Sequence, residues 1–162
     1  MKKTKRLATT AVLVALALIL SFVESRIPTF VPIPGIKIGL ANIVTLFAIY
    51  RLGIGDAICI SAVRVSLASV LFGTLTSFLY AAAGGALSLL VMILVKKLTP
   101  LSTVTVSVLG GITHNIAQVC VASLLLATDV VIYYLPFLLL SGTVAGVAVG
   151  IAGGLLVKKV KI

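Results

Sequence analysis

Apolar residues in this chain come in long runs with few polar interruptions rather than as a stripe with a polar face opposite. The runs cover residues 7–23, 39–50, 54–72, 75–95, 101–127 and 130–157, with short polar or helix-breaking groups between them. A helix that is apolar all round is buried in protein or in lipid, and roughly 20 such residues cross the hydrocarbon core of a bilayer. The pattern predicts an all-α, polytopic membrane protein with six transmembrane helices in a single domain. Pro28, Pro32 and Pro34 keep the stretch after the first run extended. Gly73-Thr74 stops the third helix, Lys96-Lys97 and Pro100 end the fourth, and Pro136 breaks the sixth softly.

Composition sharpens this. The chain has 162 residues, 61% hydrophobic and 10% charged, and its mean hydropathy is +1.34. A soluble domain is about a quarter charged, so a water-soluble globule is excluded. Six spans use about 120 residues, which leaves no length for a separate soluble catalytic domain. A net charge of +10 would suggest nucleic acid in a soluble protein. Here the bases sit at the ends of apolar runs, so they report membrane topology and no nucleic-acid partner is expected.

Six crossings place both termini on one side. That side carries four Lys and Arg at the N-terminus, Arg51, Lys96, Lys97 and three lysines at the C-terminus; the other side carries Arg26 and Lys37, and Arg64 lies within a span. The positive-inside rule puts both termini in the cytoplasm and the 25–38 segment outside. The basic start followed by an apolar run resembles a signal peptide. The run is longer than the usual 7–15-residue signal core, and no small-x-small cleavage site precedes Pro28, so it reads as a retained first helix. Cys59 and Cys120 each lie inside an apolar run and read as small core hydrophobes, not a disulfide framework.

Several chemistries are missing. No G-x-x-x-x-G-K-[ST] loop is present to cradle ATP. Glu24, Asp56 and Asp129 are far apart, whereas magnesium on a diphosphate normally needs clustered carboxylates. The lone His114 has no metal motif around it. The chain is therefore read as neither an enzyme nor a holder of a metal or cofactor.

Arg64 is the costly residue. It lies about 15 Å along the third helix, near mid-bilayer, where insertion scales charge at least ~2.5 kcal/mol for arginine. It faces either a ligand cavity or an internal ion pair, with Glu24 or Asp56 as mates; Asp56 is too far along the same helix for a direct contact. His114 and Gln118 share a helix face at i, i+4, and with Asn42 they fall in the outer half. They either form a site or hydrogen-bond between helices. Asn115 points about 100° away from His114 and suits packing. In Pro34-Gly35-Ile36-Lys37-Ile38-Gly39 the glycines permit tight turning. Lys37 beside the N-terminus of the second helix suits either an anion or a lipid headgroup. Gly142, Gly146, Gly150 and Gly154 repeat every four residues and form a face for close helix packing. Ala11 and Ala15 make a smaller pair, for internal packing or for another membrane subunit.

Four motifs occur in order: Pro34-Gly35-Ile36-Lys37-Ile38-Gly39-Leu40-Ala41-Asn42-Ile43; Arg64-Val65-Ser66-Leu67 running on to Leu71-Phe72-Gly73-Thr74; Ala83-Gly84-Gly85; and Gly110-Gly111-Ile112-Thr113-His114-Asn115-Ile116-Ala117-Gln118. Over nearly its whole length the chain resembles the bacterial Gx transporter family, also labelled heptaprenyl diphosphate synthase component I. That family looks like the substrate-binding S components of energy-coupling factor (ECF) transporters. The resemblance implies a six-helix bundle in the cytoplasmic membrane with a pocket open outward under the first extracellular loop. It also implies a transmembrane coupling subunit docked on an Ala-x-x-x-Ala stripe, which Ala11 and Ala15 match, and two cytoplasmic ATPases.

The combined expectation is a subunit that captures a small, anionic, cofactor-precursor-like molecule for uptake. Arg64, Lys37, Asn42, His114 and Gln118 are its candidate binding residues. The alternative is a non-catalytic accessory subunit of an isoprenoid, quinone or flavin-linked redox system.

Overall fold

The computed structural model describes residues 3–27 and 39–160. Six α-helices follow one another: α1 (Lys3–Arg26), α2 (Leu40–Arg51), α3 (Ile54–Phe72), α4 (Leu75–Leu98), α5 (Thr103–Leu126) and α6 (Leu135–Lys159), with a 3-10 turn over Asp129–Tyr134 before the last. No strand occurs among the described residues. Local chemistry explains the boundaries. Thr74 caps α4 by accepting from Ser77 N at 3.1 Å, while Ser77 Oγ accepts from Thr74 N at 2.7 Å. Ser102 accepts from Thr105 N to start α5. Pro136 lies in the first turn of α6, where its missing N–H costs nothing, so it opens that helix instead of breaking a longer one.

Side-chain contacts show how the helices run. Arg6 pairs with Asp56, joining the starts of α1 and α3. Lys96 Nζ donates to Ile49 O, and Arg51 Nη2 donates to Val160 O at 2.6 Å, joining the ends of α2, α4 and α6. At the opposite end Glu24 of α1 accepts from Gly39 N at the start of α2. There Phe22 also meets Phe72 edge to face at 5.8 Å. Consecutive helices therefore alternate in direction. Lys and Arg crowd one end, called the basic end below, where Lys96 and Arg51 cap the C-terminal carbonyls of α2 and α6 and complement the helix dipoles.

Among the described residues, five helices are long and apolar enough to cross a membrane. α2 is not: its 12 residues span about 18 Å, against a hydrocarbon core of ~30 Å. Of the six expected spans, five are thus found as long helices among the described residues, and the sixth, α2, is a short apolar helix. The short helix starts beside the last turn of α1. Gly39, its N-cap, has φ +76°, a left-handed conformation that glycine adopts without strain. Large aliphatic side chains stand exposed on the outside, Val70 at 82% and Leu124 at 81% among them. Such a surface belongs in lipid.

The fully buried core includes Leu46, Ile49, Ile60 and Val106 and continues through Ala57, Leu89 and Met92. On α2, α3, α4 and α5 these residues lie toward the basic end. That half of the bundle is closed.

Candidate functional site

One or two turns beyond the core, each helix replaces an apolar side chain with a polar or very small one. On α3, Ala57 and Ile60 give way to Arg64; on α5, Val106 gives way to Ser107, Gly110 and His114. On α2 the sequence runs from the buried Val44–Ile49 stretch back to Asn42 and Gly39. These positions surround a cavity of about 70 Å³ bordered also by Glu24 and Ser88. Met92 of the closed core borders it on the side of the basic end.

Arg64 is half-buried. Its Nη2 donates to Asn42 Oδ1 at 3.5 Å, and its Nε is enclosed without a hydrogen-bond partner among the described residues. Arg6–Asp56 is the only ion pair among the described residues. Asp56 also accepts from Thr10 Oγ1, so it is committed to α1. Of the two mates considered for Arg64, Asp56 is engaged elsewhere. Glu24 shares the cavity but stands beyond ion-pair distance.

The structure brings Arg64, Asn42 and His114 together on the cavity wall. Gln118 is buried at 6% exposure, one turn beyond His114, and is not among the lining residues. Lys37 falls outside the described residues. Ala11 and Ala15 are exposed on the outer face of α1. Asn115 Nδ2 donates to Leu138 O, tying α5 to the start of α6 in the packing role read for it, and the residue also borders the cavity.

Glu24, Ser88 and Ser107 are polar lining residues that sequence reasoning did not place in the site. Glu24 carried a signal, as one of three acids in the chain. Its carboxylate takes the N–H of Gly39, at the helix start where an external anion was expected. Ser88, an isolated serine in an apolar run, carried none. Among the described residues no cluster of three His, Cys, Asp or Glu is placed to hold a metal ion.

Gly84 of the Ala83-Gly84-Gly85 motif positions His114. A Cβ at Gly84 would lie 2.8 Å from His114 Cε1 and 2.9 Å from Nε2. Gly84→Ala is expected to push the ring from its place and to lower stability by about 1–3 kcal/mol. Thermal unfolding in detergent, with the His114 ring resonances followed by NMR, checks both effects.

No curated protein and no solved structure matches this chain. The family model described as heptaprenyl diphosphate synthase component I matches residues 13–156. With nearly all of its spans, its cavity and its glycine-lined helix contacts inside that match, the chain belongs to the heptaprenyl diphosphate synthase component I family.

Proposed function

We propose that this protein is the substrate-binding membrane subunit of an uptake system for a small organic, cofactor-precursor-like molecule. The observation that carries the reading is Arg64, a guanidinium deep in an apolar bundle with no carboxylate in ion-pair reach, bordering a cavity shared with Asn42 and His114. An intramembrane charge is retained where it meets a partner or a water-filled path. Arg64 supplies the attraction for an acidic group on the ligand.

The closed core lies at the basic end, which the positive-inside rule assigns to the cytoplasm. The cavity then opens outward, as capture from outside requires, with both termini in the cytoplasm of a bacterial cell. Release on the inner side needs energy that this chain has no phosphate-binding loop to draw from ATP. Two cytoplasmic ATPases and a transmembrane coupling subunit fill that role in the proposal. The exposed α1 face at Ala11 and Ala15 is the docking stripe, since small residues let helices approach closely.

A second reading rests on the family's description: a non-catalytic membrane partner of a prenyl diphosphate synthase. It calls for a dry, closed interior with Arg64 ion-paired, and the cavity and the spacing around Arg64 favour the first reading. In neither does the chain itself catalyse a reaction.

Native mass spectrometry of the purified protein tests the proposal. A small-molecule adduct that dissociates on activation is the expected result. A chain that emerges bare from gentle purification, and stays bare after incubation with a cell metabolite extract, overturns it.

A further inference from the structure

We infer that the cavity selects a zwitterion, with Arg64 receiving its acidic group and Glu24 its ammonium group. The inference rests on the binding-subunit reading above and names the substrate class of the same site.

Two opposite charges border one small space without touching. Each is held by a neighbour: Glu24 Oε1 by Gly39 N–H, and Arg64 Nη2 by Asn42 Oδ1. Opposite charges in a poorly polarisable interior attract strongly, so anchors that keep them apart preserve a gap. Arg64 also has its Nε enclosed and unused among the described residues.

Charge balance decides what fills the gap. Glu24 and Arg64, the Asp, Glu, Lys and Arg residues among the described lining, together are neutral. A simple anion would add an uncompensated charge to a buried site and would meet the like charge of Glu24, both unfavourable. A ligand with one positive and one negative group keeps the site neutral and gives each side chain a charge-assisted hydrogen bond. Size agrees. About 70 Å³ holds about five waters at 10–15 Å³ each, close to the bulk of a compact ammonium–carboxylate unit. A larger body attached to that unit would extend toward the open end.

The test measures equilibrium binding to the full chain in detergent. The probes are the common amino acids, β-alanine and γ-aminobutyrate, each compared with the acid and the amine that lack one of its charges. At least one zwitterion is expected to bind about tenfold or more tightly than both of its matched compounds. Glu24→Gln keeps an oxygen to accept from Gly39 N–H but removes the charge. It is expected to weaken that zwitterion about tenfold or more while leaving the matched acid unchanged or tighter. Glu24→Asp, which restores the charge, should recover part of the loss and serves if the glutamine variant does not fold. If the acids bind through Arg64 and no zwitterion binds better, the inference falls and the binding-subunit reading stands. If no probe binds and native mass spectrometry also finds a bare chain, both fall.

Discussion

Replacing Gly146 by leucine is expected to stop α5 and α6 from closing on each other and to leave little folded protein in detergent. A Cβ at Gly146 would lie 2.7 Å from Val108 Cα and 3.1 Å from Ser107 O; at Gly150 it would lie 2.6 Å from Val104 Cα, and at Gly142 3.0 Å from Gly111 O. These obstacles are backbone, which cannot swing aside as a side-chain tip can. Helices in lipid associate through close van der Waals contact rather than hydrophobic burial, so separating the backbones forfeits the attraction that holds the pair. Gly146→Ala, with one added carbon, is expected to cost about 1–3 kcal/mol. Gly55→Ala is the control: a Cβ there meets nothing within 4 Å, and alanine in a helix is favoured over glycine by about 0.5–1 kcal/mol. Thermal unfolding of the three variants should rank Gly55→Ala at or above wild type, Gly146→Ala below it, and Gly146→Leu last. A leucine variant that melts with the wild type would mean that α5 and α6 do not pack through this stripe.

Arg64→Met is expected to separate stability from binding. Methionine keeps the length and flexibility of the side chain and removes a charge that costs at least ~2.5 kcal/mol at mid-bilayer. No ion pair at Arg64 is broken, and the loss of the charge opposite Glu24 across the cavity offsets part of that gain, so the variant should melt close to the wild-type temperature. Its affinity for the acidic group of the ligand should fall about 100-fold, the scale of losing a buried charge-assisted contact. Arg64→Lys keeps the charge but not the planar fork, and should fall between the two. Native mass spectrometry reads the ligand, and thermal unfolding reads the fold. A methionine variant that loses stability yet binds as the wild type would make Arg64 a packing residue and remove it from the site.

Much of the architecture was legible in the chain. The third run, 54–72, coincides with α3, and the short second run with α2. The four-residue glycine period correctly indicated a packing face, because a small residue every four positions has one steric use along a helix. The site was legible in pieces. Arg64, Asn42 and His114 were recognised by the cost of polar groups in lipid, and they border the same cavity. Gln118 carried the same signal and lies outside that wall, since i, i+4 spacing shows a shared face and not how far a cavity extends along it. Glu24 was weighed only as a partner for Arg64. Its bond to Gly39, 15 residues further along the chain, has no signature in local sequence.

The amino-acid sequence by itself determined which segments are helices, where they stop, and that their outer surfaces meet lipid. Those properties follow from short-range chemistry: run length, capping residues, prolines and glycines. Tertiary structure alone decided which charges meet. Arg6 finds Asp56 at a separation of 50 residues, Glu24 finds the start of α2, and Arg64 is left facing a void. The reason is that a membrane helix is apolar both where it faces lipid and where it faces its neighbours. Hydropathy therefore does not encode the rotation and tilt of each helix, and those two angles determine which side chains share the interior.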